Sequence, residues 1–484
     1  MPVVFAGSND LDCTYLVPAK KKGPEGKSKG SRSPVATSTV SLDDVLSLLS
    51  ASSALSPIST SPSSLRATLP GPASIQDPGP SNQLQTYSFS PPLVISETVS
   101  RPIARTPHAQ SRFLDQLTPS LPDLLQRYFT HIHPLFPTVD KRALITRLAQ
   151  KDHLWDASLG ALVLSLFSLP LIGSATTGSP DTVNRGDQML RAAQELHSTS
   201  LSRIPTLDEL AAAAHIASYL RARDGGTAAH LSSKHVIGML ELMKLDTEEG
   251  YRDLSPRERE VALGIYWVTA VGERSNALLS LIPVTLRSPL SSLTSILPTL
   301  SDSTMRIAPC TMLYECVSPS LIDCINGRCD RGQGEPRGCS LTKESIVLTH
   351  AALDAVALDP RLSLVQTADI VLTRGYLHLK VWQASVSHAL LENGAEWDAL
   401  RVKFPLDVLA QIAGALQSMP EDAIRGNGRA MGAKLSTIAD IVQCVLSLPG
   451  TETGPDVQES YRLLRQRAEE LSSVMWFRWE AAHI

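Results

Sequence analysis

Helical hydrophobic repeats that begin at recognisable caps run from about residue 113 to residue 475, and they constrain the fold of this chain most strongly. Thr206 with Glu209, and Ser255 with Glu258, have the spacing of capping boxes, in which each side chain bonds the other residue's backbone N–H. The sustained apolar–polar alternation of a half-buried strand does not occur in the sequence. We therefore predict an all-α body, with helices near 140–150, 186–202, 227–244, 342–358, 365–392, 405–419, 428–447 and 456–475.

The most apolar stretch is residues 157–172, which read ASLGALVLSLFSLPLI. A helix that spans a membrane needs about 20 apolar residues, whereas this stretch is shorter and contains Pro170. We therefore interpret it as a helix buried in the core of the body. The apolar start Met1–Phe5 is too short for a signal peptide. Seven cysteines, an odd number, favour a reducing compartment.

Residues 33–112 differ in composition from the rest of the chain. Eleven of the 33 prolines lie there, and Tyr87 and Phe89 are the only aromatic residues. Such a segment buries too little apolar surface to offset its conformational entropy, so we predict a disordered linker. Its apolar island at 42–49 is either a transient helix without a role, which we favour, or a helix that docks on a partner or a second copy.

A cluster of basic residues precedes this linker. The net charge of the whole chain is only -4, so any affinity for nucleic acid needs such a local patch. The cluster can contact DNA phosphates or be bound by a nuclear import receptor, and the two roles are compatible. Its members are Lys20, Lys21, Lys22, Lys27, Lys29 and Arg32, opposed by Glu25.

The sequence contains no motif that predicts an enzyme. We find no nucleophile elbow, no phosphate-binding glycine loop and no zincin helix. On a helix, His131 and His133 point about 160° apart, which makes them poor joint metal ligands. Five cysteines between residues 310 and 339 have the spacing C-x5-C-x7-C-x4-C-x9-C, without the C-x2-C pair of most structural zinc sites, so we predict reduced, partly buried thiols.

Cys13 carries a resemblance to a known family. It stands in Leu11-Asp12-Cys13-Thr14-Tyr15, just before the basic cluster, and this arrangement resembles the end of the fungal binuclear zinc cluster, a six-cysteine DNA-binding module. The resemblance implies that Cys13 is a remnant of the last metal ligand, which does not bind zinc alone. The fifth ligand is expected at about positions 4–6, where Val4, Phe5 and Ala6 stand, and the others before Met1, either because the module was lost or because a first exon was missed.

The helical body resembles the regulatory middle domain of the same transcription factors, in the branch of the maltose and starch-utilisation activators. Five segments carry this likeness, in order: Tyr128–Pro137 with its His-Pro-Leu-Phe-Pro end, Trp267 with Glu273-Arg274 and Ala277-Leu278, Ile322–Cys329, Trp382–His388, and glycines 426, 428 and 432. We expect Glu273 and Arg274 to be either a paired charge inside the bundle or a solvated edge.

The resemblance divides the chain into 1–32, a zinc-cluster remnant with the basic cluster; 33–112, the linker; 113–450, the regulatory domain; and 451–484, a C-terminal helix or tail. It implies a nuclear regulator of transcription that is not an enzyme. No cofactor is expected for this chain, although zinc is implied for a full-length relative.

The partners that the resemblance implies are DNA, if the missing module is present, a second copy of the chain, and the transcription machinery or co-regulators, with no membrane. The alternative is a helical interaction protein that modulates related regulators without touching DNA. We expect a chain of this sequence to have no specific affinity for duplex DNA.

Overall fold

A computed structural model describes residues 108–472, apart from 174–179, 201–203, 224–225, 289–292, 294–295, 297–305, 330–338, 340, 392–396 and 452–453. Cys13, the six residues of the basic cluster, and the linker up to residue 107 lie outside the described residues. Within the described part the fold is all-α and contains no strand, which confirms the predicted fold class.

The described residues form sixteen α-helices, with short 3-10 and π-helical turns between some of them. Each of the predicted helices is present, with ends that differ from the prediction by a few residues. We number them α1 (Ser111–Leu117), α2 (Leu121–Arg127), α3 (Lys141–Ala149), α4 (Ala157–Gly173), α5 (Pro180–Ser200), α6 (Leu207–Arg223), α7 (Thr227–Leu242), α8 (Pro256–Ser280), α9 (Ala308–Cys316), α10 (Pro319–Ile325), α11 (Lys343–Ala355), α12 (Leu364–Ser387), α13 (Phe404–Ser418), α14 (Glu421–Arg425), α15 (Gly428–Leu446) and α16 (Pro455–Ser472).

The first hydrophobic core forms around α4, the apolar stretch of the sequence. This helix packs against α5 and α6, and side chains on all of its faces are buried, including Leu162, Leu166 and Phe167. A helix that is apolar all round has no face suited to water, so it must lie inside the body. The prediction of a buried core helix is therefore confirmed. None of the described helices combines the length and the apolar character needed to cross a membrane.

The second core forms around α12. Tyr376, Leu377 and Trp382 of this helix are completely buried, and α12 packs against α11, α13 and α15. Its N-terminus is closed by a capping box of Ser363 and Gln366. The last described helix, α16, packs on α15 and α13 and buries Leu464 in the same core.

One long helix, α8, belongs to both cores. It begins at the predicted capping box of Ser255 and Glu258. Its first half buries Ile265 in the first core, and its last turns bury Ala277 and Leu278 in the second. Helix α8 therefore connects the two cores.

Candidate functional site

Three cysteine thiols and one imidazole meet at the outer end of the second core. Cys324 lies on α10, Cys329 and Cys339 lie in the segment that follows it, and His388 stands directly after the last residue of α12. The Sγ atoms of Cys324 and Cys339 are 3.1 Å apart. Nε2 of His388 is 3.2 Å from Sγ of Cys329 and 3.4 Å from Sγ of Cys339. All four ligand atoms lie within 4.8 Å of one another.

The imidazole of His388 is held in one orientation by the end of its own helix. Its Nδ1 lies 2.8 Å from the carbonyl oxygen of Ala384. A carbonyl oxygen only accepts hydrogen bonds, so Nδ1 carries the proton and donates it. In the neutral ring Nε2 then presents a lone pair, which faces the thiols. This arrangement, in which one ring nitrogen bonds a carbonyl and the other faces sulfur, is that of a metal-ligating histidine.

The cysteines of the cluster are thiols rather than a disulfide. The 3.1 Å separation of Cys324 and Cys339 exceeds the S–S bond length of about 2.05 Å. Burial, together with the neighbouring thiols of Cys339 and Cys329, raises the pKa of Cys324 well above its usual range. Without a cation, burial and the neighbouring thiols therefore favour the protonated form of the Cys324 thiol.

This cluster was not predicted from cysteine spacing. Only three of the five cysteines between residues 310 and 339 belong to it, because Cys310 lies near Asp369 and Cys316 ends α9. The fourth member, His388, comes 49 residues after Cys339. A gap of that size cannot be recognised without knowing that α12 returns to the end of α10.

A cavity of about 650 Å³ lies between the two cores. We call it the inter-core cavity; α6, α8, α12 and α15 line it together with the segment after α2. Its size is within the usual range of about 300–1,000 Å³ for small-molecule sites. Its charged lining residues are four cations and one carboxylate, namely Arg221, Arg306, Arg429, Lys434 and Asp369.

Two of these cations, Lys434 and Arg221, differ in their bonding partners. Lys434 is buried, donates to Thr373 Oγ1 at 2.7 Å and lies 3.5 Å from Oδ1 of Asp369, so its charge is balanced within the protein. Arg221 donates from Nη2 to Ser233 Oγ at 2.9 Å, and its buried Nε finds no acceptor. Burial lowers the pKa of Arg221, and within the described part of the chain no carboxylate forms an ion pair with it. Its charge is therefore available to a ligand in the cavity.

Glu273 and Arg274, the charged pair of α8, are both buried. Glu273 accepts hydrogen bonds from the backbone N–H groups of Thr285 and Leu286, each at 2.9 Å, and from Lys234 Nζ at 2.6 Å. Arg274 donates to the carbonyl oxygen of Tyr314 at 2.7 Å. Both charges therefore lie inside the bundle rather than at a solvated edge, but each pairs with another residue, Glu273 with Lys234 and Arg274 with Glu315 at 3.3 Å.

The two histidines near Pro134 form no joint site. Residues Tyr128–Ile132 form a turn of π-helix that continues α2, so His131 and His133 do not lie on one regular α-helix. His133 donates from Nε2 to the carbonyl oxygen of Val139 at 3.1 Å, which makes its role structural. Nearby, the hydroxyl of Thr138 lies 2.8 Å from Nε2 of the buried His215.

Comparison with known proteins gives one informative similarity. The chain is 21% identical over 355 residues to the probable sucrose utilization protein SUC1 of Candida albicans, and the matched region is 72% of this chain and 67% of SUC1. No protein-family model matches the chain, and no solved structure matches it significantly.

Proposed function

We propose that this chain is a fungal transcription regulator of sugar utilisation whose helical body responds to a carbohydrate metabolite. The observation that carries the proposal is the similarity to a protein named for sucrose utilization, which extends over 72% of the chain. The order of the motifs from Tyr128 to Gly432 supports the same assignment, because it resembles that of the sugar-responsive activators.

The inter-core cavity is the proposed binding site of the metabolite. The amide of Asn276 and the hydroxyl of Ser436 line it, and neither is bonded to another described residue. Such groups can donate to and accept from the hydroxyls of a sugar. The unpaired charge of Arg221 adds a donor set that matches a phosphate or carboxylate group. A polyhydroxylated ligand, with or without an anionic group, therefore fits the chemistry of the lining.

A thermal-shift measurement on the purified full chain tests this site. Sucrose and maltose are compared with sucrose 6-phosphate and glucose 6-phosphate, because a ligand that binds only the folded state raises the melting temperature. Arg221→Met, which keeps the aliphatic stem, should abolish a shift caused by a phosphorylated sugar, and Asn276→Ala should reduce any sugar shift. Arg142→Met removes an exposed charge on α3 and should change neither. A melting temperature unmoved by every sugar would contradict binding in the cavity.

The regulatory role needs its own test, in the organism. Deletion of the gene should change the transcripts of sugar-cleaving enzymes and sugar transporters when the carbon source is changed, and re-expression should restore them. Unchanged transcripts would contradict the proposal. If the response is restored only when a related zinc-cluster regulator is also present, the chain acts as a helical interaction protein instead.

We further propose that the protein acts in the nucleus and that the basic cluster directs its import. Replacing Lys20, Lys21, Lys22, Lys27 and Lys29 with Ala in a fluorescent fusion should move the protein to the cytosol. Contact with DNA is proposed to depend on a complete zinc-cluster module, so the chain alone should not shift a specific duplex at about 150 mM salt. Sequence-selective binding by a Cys13→Ala variant would show that another element reads DNA.

A further inference from the structure

We propose that Cys324, Cys329, Cys339 and His388 bind one zinc ion. Three thiolates and one imidazole are among the donor sets of closed, four-coordinate structural zinc sites. The proposal is independent of the carbohydrate site and of the six-cysteine module that Cys13 resembles. It reverses the expectation drawn from the cysteine spacing, because that spacing did not include His388.

Three separations between ligand atoms of the cluster are slightly shorter than those around a tetrahedral zinc ion. With Zn–S bonds of about 2.3 Å and a Zn–N bond of about 2.05 Å, tetrahedral angles set S–S separations of about 3.8 Å and S–N separations of about 3.6 Å. The separations found are 3.1 Å for Cys324 to Cys339, and 3.2 and 3.4 Å from His388 to Cys329 and Cys339. Each of these three pairs needs to open by less than about 1 Å to admit the ion, and all six pairs lie within 4.8 Å.

The surroundings of the cluster already hold the ligands in place. The bond from His388 Nδ1 to the Ala384 carbonyl fixes the tautomer in which Nε2 presents its lone pair to the thiols. Between Cys324 and Cys329, the side-chain amide of Asn326 donates to the carbonyl oxygens of Ala277 and Ile282, at 3.0 and 3.3 Å.

The position of the cluster indicates what the ion would do. It would join the end of α12 to α10 and to Cys339, which are otherwise distant in the sequence. Through Asn326, the same segment bonds the last turn of α8 and the residues after it, and α8 also lines the inter-core cavity. The zinc ion would therefore fix the C-terminal end of α8, a helix that contributes to both cores.

A disulfide between Cys324 and Cys339 is the competing chemistry, and it makes different predictions. It would form by oxidation of the two thiols, would leave His388 without a role, and would be insensitive to a chelator. Zinc binding requires all four groups, deprotonates the thiols and protects them from alkylation while the ion is bound.

The test is metal binding by the full chain, purified under reducing conditions, stripped with chelator and reloaded with Zn²⁺ or Co²⁺. We expect one zinc per chain by elemental analysis and, with Co²⁺, the thiolate charge-transfer and ligand-field absorption of a tetrahedral site. Cys324→Ser, Cys329→Ser and His388→Asn should each lower the affinity by about 10–100-fold or more. Cys316→Ser and Cys444→Ser, which replace half-buried cysteines outside the cluster, should leave it unchanged.

A second measurement remains decisive if the ligand variants fail to fold. In the wild-type chain, Zn²⁺ should protect Cys324, Cys329 and Cys339 from alkylation, as read by peptide mass spectrometry, whereas Cys316 and Cys444 should react equally with and without the ion. Failure of the stripped protein to take up zinc, protection of other cysteines instead, or a Cys324–Cys339 disulfide that persists under reducing conditions would each overturn the proposal.

Discussion

The buried carboxylate of Glu273 should stabilise the body mainly by anchoring the backbone after α8, and only secondarily through its ion pair. Its side chain is 4% exposed, and its two oxygens accept the N–H groups of Thr285 and Leu286. Lys234, the ionic partner, is 30% exposed and can return to water. Because the backbone donors and the ion-pair partner belong to different residues, substitutions can separate the two kinds of contact.

The expected free-energy changes follow from these contacts. Glu273→Ala leaves the buried N–H of Leu286 without an acceptor, which costs about 1–3 kcal/mol, and removes charge-assisted bonds worth about 1.5–3 kcal/mol, so we expect a loss of about 3 kcal/mol. Glu273→Gln keeps one acceptor oxygen and should lose about half of that. Lys234→Met breaks a partly exposed ion pair and the hydrogen bond from Lys234 Nζ to Thr285 Oγ1, and it should cost about 1 kcal/mol.

Urea unfolding followed by circular dichroism measures this ranking through the transition midpoints at constant m-value. A double-mutant cycle with Glu273→Ala and Lys234→Met then gives the coupling of the pair, which we expect to be a minor part of the total. If Lys234→Met costs as much as Glu273→Ala, or if Glu273→Gln is within about 0.5 kcal/mol of the wild type, the ion pair or the packing dominates and the reasoning is wrong.

Three further predictions concern stability. Burial lowers the pKa of His197 to about 4 and the pKa values of His215 and His350 to about 3, so between about pH 6.5 and pH 4 mainly the unfolded chain takes up their protons. The free energy of unfolding should therefore be highest above pH 6.5 and fall by about 2 kcal/mol per histidine between pH 7 and pH 5. Urea unfolding of metal-free protein measures this fall, and a midpoint that stays constant over this range would contradict it. Gly264→Ala should destabilise the body by several kcal/mol, because an added Cβ would lie 2.2 Å from the carbonyl oxygen of Pro137. Gly238→Ala, where an added Cβ meets no atom within 4 Å, should stabilise α7 by about 0.5–1 kcal/mol. Similar melting temperatures for the two variants would refute the packing argument. Finally, chelator should lower the melting temperature of the zinc-loaded chain by several degrees but leave that of the Cys329→Ser variant unchanged.

The helices were predictable because their signals are local. Capping boxes place the start of α8 at Ser255 and the start of α6 after Thr206, and both are found with their reciprocal hydrogen bonds. The π-helical turn that begins at Tyr128 was less predictable, since the Tyr128 ring is buried and its hydroxyl contacts Thr138 ten residues later. Local propensity carries no information on such a contact.

The candidate metal centre shows where sequence reasoning stops. The composition identified the cysteines, and their spacing correctly indicated that they do not form paired C-x2-C ligands. A site built from Cys329 and His388 requires that α12 run back across the second core and end beside α10, and this depends on which helix faces pack together. The buried Tyr376 and Trp382 fix that direction, because their rings fill the core on the face of α12 that turns away from solvent. The same packing that buries these rings therefore brings His388 to the thiols, so the centre follows from tertiary structure rather than from a motif.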